Sequence, residues 1–343
     1  MKKTDYLNFY KNKKVLVIGG AGAVGSTLTN KLTELGASVI VLDNLTSGYT
    51  WLLPNSSDML FVEGDISSDI DLKRVFAEKP EIVFHLAAFF ANQNSVDYPE
   101  KDLKTNGLGT LKVYEYASMC GIEKLVYASS GCSIYGKAKM PYVEHIVEPM
   151  HLSSPYQITK MLGELYGNYY LRQTGLPVSY ARFFNSYGPG EVPGQYRNVI
   201  PNFIYWAMNG NQLPITGTGE ETRDFTFVGD IVNGLLQMGY NENAVGQAYN
   251  LATQHERQIL YLAELINDLT GNSAGIEFKE RRKWDSKPRL CASNEKARTE
   301  LGCEFDLDFE GRIKDTISWF EDNWDNINRS ADFGPGVSSA VRK

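Results

Sequence analysis

What most constrains this chain is an alternation. Short β-branched and apolar runs at 14–20 (KVLVIGG), 38–44 (SVIVLDN), 59–65 (MLFVEGD), 82–88 (IVFHLAA), 124–130 (KLVYASS) and 178–184 (VSYARFF) read as buried strands. Helical patterns over 24–36, 67–78, roughly 103–120 and 155–173 separate several of them. Strands alternating with helices at this spacing predict an α/β fold with a doubly wound parallel sheet. After about residue 185 the rhythm loosens. NSYGPGEVPGQYRN (185–198) reads as a loop, and helical segments near 199–209, 230–240 and 257–270 follow among short strands. The expected division is a sheet domain over 1–184 plus about 226–252, a smaller C-terminal α/β substrate domain over 185–225 and 253–325, and a tail over 326–343.

The 343 residues are ample for two such units. A net charge of −7 argues against a nucleic-acid partner, which needs a basic face. The four cysteines, Cys120, Cys132, Cys291 and Cys303, are scattered without a CxxC pair. That pattern fits a reduced, cytoplasmic chain with neither a disulfide frame nor a metal site. The first fourteen residues lack an apolar signal-peptide core, and no run is long enough to span a membrane.

A doubly wound sheet binds ligands beyond the carboxyl ends of its strands, so the residues just after each strand matter most. After the first comes GGAGAVGS, with Gly19, Gly22 and Gly25 between a strand and a helix and Ala23 and Val24 among them. Such glycines permit a tight turn, a close approach of pyrophosphate to backbone, and helix-on-strand packing. The diphosphate then meets free N–H groups at the helix N-terminus. The second strand ends in Asp43, followed by Asn44. A carboxylate there accepts from ribose hydroxyls and repels a 2′-phosphate, so the expected cofactor is NAD on a Rossmann sheet. Asp65 and Ile66 follow the third strand, where they are placed to hold adenine. Leu86, Ala87 and Ala88 end the fourth with small groups that leave room for the cofactor, and His85 reads as a satisfied strand histidine.

SSPYQITK (153–160) supplies acid–base chemistry. Ser154 is a helix cap, Pro155 suits the first helical position, and Tyr156 and Lys160 share a face at i and i+4. A free phenol has a pKa of about 10. A nearby ammonium favours the phenolate, and an oxidised nicotinamide adds to that effect. YASSGCSIYG (127–136) offers Ser129 and Ser130 as hydroxyl partners for a substrate oxygen.

With GGAGAVGS, HLAA, ASSGCSIYG, SPYQITK, RFFNSYGPG and RDFTFVGD in order, residues 14–325 resemble the extended short-chain dehydrogenases/reductases. Within them the chain is most similar to the NAD-dependent nucleotide-sugar epimerases and dehydratases of the UDP-glucose 4-epimerase type. The resemblance implies Tyr156 as base, Lys160 as the residue that orients the nicotinamide ribose and lowers the phenol pKa, and Ser130 as hydroxyl partner. It implies Asn185 and Arg223 on the substrate diphosphate. It also implies Arg282 on phosphate and Asp285 on the nucleoside ribose, although Trp284 departs from the family's RxGD pattern, and residues 211–217 around the base. The substrate implied is a nucleotide sugar, foremost a UDP-sugar, and the assembly a homodimer pairing the helices near 103–120 and 155–173. Dehydratases and decarboxylases of the group carry an acid in the loop that here reads Gly131-Cys132-Ser133-Ile134, which favours epimerisation. The alternatives are a nucleotide-sugar reductase or dehydrogenase with net redox change, a dehydratase or decarboxylase, and a non-catalytic regulator. Cys132 reads as a buried spectator thiol or a second acid–base group. Arg197 and Arg289 read as solvated cations or as partners for a sugar carboxylate. Leu290 and Phe89-Phe90 are expected to set the pocket volume.

Overall fold

The computed structural model describes residues 5–281 and 287–333. Its centre is a seven-stranded sheet: β1 (Lys14–Ile18), β2 (Ser38–Asp43), β3 (Met59–Glu63), β4 (Ile82–His85), β5 (Lys124–Ser130), β6 (Val178–Phe183) and β7 (Ala248–Leu251). The order is β7-β6-β5-β4-β1-β2-β3, and every pairing is parallel. A parallel sheet is covered on both faces, so its strands are apolar throughout. The period of two then sorts side chains between two cores. Val15, Val17, Val39, Val41 and Phe84 face one side with α1 (Ala23–Glu34) and α6 (Val228–Tyr240). Leu16, Ile18, Ile40, Leu42 and Val83 face the other with α2 (Asp69–Ala77) and α3 (Thr110–Cys120). Helix α4 (Pro155–Thr174) lies beside α3 on that second face. The order reverses between β1 and β4, and that switch point opens a crevice at the carboxyl ends of the strands.

A third core belongs to the C-terminal part. It joins α5 (Val199–Met208), α7 (Ile259–Thr270) and α8 (Phe309–Asp322) through Phe203, Ile204, Leu262, Ile266, Ile313 and Phe320. Three short sheets accompany it: Leu213–Thr216 with Ile276–Lys279, Thr222–Asp224 with Glu256–Gln258 and Arg289–Leu290, and Ser186–Tyr187 with Thr226–Phe227.

Three sequence expectations change. The helix expected from about 103 begins with a π-helical stretch, Leu103–Gly109, before the regular turns of α3. The sheet gains β7, where polar Asn250 interrupts a four-residue run. The packed chain also continues past 325. Helix α9 (Trp324–Ser330) buries Ile327 in the C-terminal core, and Asp332 bridges Gly194, so the tail expected from 326 is built into the fold at least to Phe333.

Candidate functional site

One cleft of about 710 Å³ runs from the glycine turn, across the sheet's carboxyl edge, to the C-terminal sheets. At its sheet end Gly19 has φ +81°, and a Cβ there would lie 2.5 Å from the Ala87 nitrogen. At Gly25 a Cβ would lie 2.0 Å from the Gly19 carbonyl. Only bare backbone fits where β1 turns into α1. Helix α1 starts at Gly22 without a side-chain cap and without an acid in its first turn, so its leading N–H groups face the cleft unanswered. Ala23 and Val24 line the same wall.

Asp43 is fixed rather than free. Its Oδ2 accepts from the Ala21 N–H at 3.0 Å and its Oδ1 from the Leu45 N–H at 2.9 Å. Burial pushes its carboxyl upward against those two hydrogen bonds. Asn44 donates to Asp65 at 2.7 Å, and Asp65 also accepts from the Ser67 N–H. Burial acts to raise the Asp65 carboxyl, but these bonds and the Lys104 charge outweigh it and hold it below the usual range. Ile66, Leu86, Ala87 and Ala88 complete this end. The capless helix, the two glycines no side chain can replace and the anchored acid at the end of β2 fit NAD, with diphosphate on α1 and ribose at Asp43.

The acid–base residues meet midway along the cleft. Ser154 caps α4 by accepting from the Gln157 N–H, and Pro155 opens the helix. Tyr156 and Lys160 are both buried on the inward face, next to β5. The Lys160 ammonium donates to the Ala128 carbonyl at 2.8 Å and stands 5.6 Å from the Tyr156 ring centre. The two serines of β5 part company. Ser129 turns to Glu164, whereas Ser130 hydrogen-bonds Ser133 and acts on the nearby Tyr156 phenol.

The electrostatics differ from the sequence expectation at one point. Burial pushes the Tyr156 phenol well above its ordinary value, Asp102 and Cys132 act the same way, and the Ser130 hydroxyl opposes them only partly. Burial also draws Lys160 down to about 8, against the pull of Asp102. Lys160 alone therefore does not acidify the phenol. The positive charge of a bound oxidised nicotinamide would act in that direction.

At the far end Asn185 has φ +31° and donates from Nδ2 to the Asp224 carbonyl at 3.0 Å. Arg223, on the strand Thr222–Asp224, donates to the Thr222 carbonyl and faces the cleft. Asp224 behind it is wholly buried and accepts from Thr253 and Gln254. Pro214, Ile215 and Thr216, from the expected 211–217 stretch, line the cleft, as do Leu290 and Phe89-Phe90, the Phe90 ring lying edge-on to Tyr156. Arg282 and Asp285 lie outside the described residues.

The remaining candidates divide between the readings the sequence left open. Arg197 donates to the Ser47 carbonyl near Asp43. Arg289 pairs with Glu256 on the exposed side. The Cys132 thiol is pushed up to about 11 by burial, which leaves it a neutral wall residue. His85 bonds Thr110 through Nε2 but leaves Nδ1 without a partner, and burial holds it near 3, so it is neutral in the physiological range. Sequence reasoning missed Glu191, Asn106 and Lys287. Asn106 clamps both backbone groups of Phe89, and Glu191 and Lys287 line the cleft. None sits at a motif spacing, and only the tertiary fold brings them in. Among the described residues there is no cluster suited to a metal and no helix long and apolar enough to cross a membrane.

The family model for the NAD dependent epimerase/dehydratase family matches residues 15–252. A UDP-glucose 4-epimerase of Mycolicibacterium smegmatis is 35% identical over 312 residues, covering 90% of this chain and 98% of that protein. The solved structure of the epimerase Mth375 from Methanothermobacter thermautotrophicus is 55% identical, covers 96% of this chain and 98% of its own, and superposes with a TM-score of 0.95. The enzyme WbmF of Bordetella bronchiseptica, solved with NAD⁺ and UDP, is 37% identical over 94% of this chain and 96% of its own, with a TM-score of 0.82. On the fold, the glycine cradle and these matches together, the chain belongs to the NAD-dependent epimerase/dehydratase family.

Proposed function

We propose that this chain is a nucleoside-diphosphate-sugar epimerase acting at C4, with UDP-hexoses as substrates. The observation that carries this reading is the chemistry at the catalytic end of the cleft. It holds Tyr156, Ser130 and Lys160, while the adjoining loop Gly131-Cys132-Ser133-Ile134 has no carboxylate. The acids among the described lining residues are Asp43, Asp65, Glu191 and Glu221. Asp43 and Asp65 accept backbone N–H bonds after β2 and β3, Glu191 is held by Asn198, and Glu221 accepts from the Gly219 N–H. None stands beside Tyr156. Water elimination needs such an acid there, and inversion through a ketone does not. The relatives named above as epimerases support the same choice.

In this reading Tyr156 takes the proton of the sugar C4 hydroxyl while Ser130 holds that oxygen. Lys160, tethered to Ala128, keeps the ribose side of the cofactor in place. The chemistry that bound NAD supplies is to take the C4 hydrogen with its electron pair and to give it back on the opposite face. Tyr156 returns the proton. Arg223 and Asn185 hold the diphosphate, with Arg282 and Asp285 assigned to phosphate and ribose by the family pattern. A guanidinium matches phosphate oxygens two at a time. Exposed apolar residues on α3 and α4, among them Met119, Leu165 and Tyr169, support a homodimer.

The test is to incubate the purified protein, without added cofactor, with a panel of UDP-, GDP-, CDP- and dTDP-sugars and to follow products by NMR. C4 inversion with no net change in NAD is the expected result. Stoichiometric consumption of added NADH would favour a reductase instead, and a pentose or deoxysugar product would favour a decarboxylase or dehydratase.

A further inference from the structure

Among the described residues Lys287 is the one ammonium buried on the cleft without a hydrogen-bond partner. Its Nζ stands 5.2 Å from the centre of the Tyr142 ring, which is itself stacked on Tyr135 at 4.6 Å. The groups that act on it electrostatically are Cys132 and Arg223. Cys132 in turn acts on Tyr156. Lys287 therefore lies between the phosphate-facing Arg223 and the catalytic phenol, along the stretch that a hexose joined to a diphosphate must occupy.

Among the described residues nothing neutralises this charge. The Cys132 thiol is protonated, Asp224 is saturated by Thr253 and Gln254, and Glu221 faces Arg281. Leaving an ammonium buried and unpaired is costly, and a neutral sugar hydroxyl takes one hydrogen bond from it without balancing its charge. An anionic group on the ligand does both. Arg223 already serves the diphosphate in the reading above, so the remaining anion belongs on the hexose. We propose that Lys287 binds a carboxylate on the sugar ring and makes nucleoside diphosphate hexuronates the preferred substrate class. The proposal rests on the reading of the cleft as a UDP-sugar site, and it gives Lys287 the role that Arg197 and Arg289, both engaged elsewhere, cannot take.

The experiment is calorimetric titration of the full-length, NAD-loaded protein with UDP-glucuronate, UDP-glucose and UDP, for wild type, Lys287→Met and Lys287→Arg. Wild type should prefer UDP-glucuronate over UDP-glucose. Lys287→Met should cut that preference by about 10- to 100-fold, the scale of one charge-assisted contact, and Lys287→Arg should keep most of it. Melting curves of the unliganded variants report folding separately. Equal weakening of all three ligands in Lys287→Met would place the ammonium on the diphosphate and overturn the proposal, as would an unchanged preference. Hexuronate preference without C4 inversion would sink the epimerase reading alone. Inversion without the preference would sink this proposal alone.

Discussion

Removing one oxygen tests Tyr156 most sharply. Tyr156→Phe keeps the ring against Phe90 and should lower kcat by about 10²- to 10⁴-fold, the usual worth of a positioned acid–base group, as measured by NMR of the product sugar. Glu191 gives a different kind of signal. Burial lifts its carboxyl to about 7, against the pull of Arg197 and the Asn198 hydrogen bonds. The folded state thus holds a proton that the unfolded chain releases near its ordinary 4.5. Its contribution to stability is full below about pH 4.5 and is lost as pH rises through 7. Glu191→Gln should therefore raise the melting temperature at pH 8 more than at pH 5, by the equivalent of up to roughly 3 kcal/mol. At this scale the sequence made Tyr156 and Lys160 legible because i and i+4 on a capped helix share a face whatever the fold. Glu191 and Lys287 were illegible because burial of a polar group is decided by segments distant in the chain.

Elements carry their own consequences. The turn from β1 into α1 tolerates no side chain at Gly25, where a Cβ would meet the Gly19 carbonyl. Gly25→Ala should leave the protein purified without its dinucleotide, seen as a fall in absorbance at 260 nm relative to 280 nm. Beneath the catalytic loop, Arg182 on β6 forms a two-pronged pair with Glu164 on α4, and both side chains are at least nine-tenths buried. Breaking one side leaves an uncompensated buried charge. Glu164→Leu should destabilise the fold by about 3–5 kcal/mol in denaturant titration. Six of the seven core strands were readable because strands buried on both faces are continuous apolar runs. β7 was not, since four residues around Asn250 make too short a signal, and its place follows only from pairing with β6. The π-helical opening before α3 has no local sequence signature either. A Cβ on Gly109 would press within 2.6 Å of Ile66, so that stretch takes its path from the β3–α2 turn it packs on.

For the whole molecule, the outward faces of α3 and α4 bear on assembly. Met119 is 76% exposed, and Ile158, Leu165 and Tyr169 are each more than half exposed along one side of α4. An apolar stripe of this kind on two neighbouring helices suits a second copy related by a two-fold axis. Light scattering after size exclusion should give twice the monomer mass of 38.4 kDa, and Leu165→Glu should return the monomer with its fold intact.

The tether between Lys160 and Ala128 has a further meaning for how such proteins diversify. It locks helix to strand, so the parts that move hydrogen form a stiff block inside the main sheet. The wall proposed to take the nucleotide sugar is hung instead on short ribbons around 213–216, 222–224 and 289–290, outside that block. Selection can therefore recut the wall for a new sugar, one side chain at a time, while the redox apparatus behind it runs unaltered.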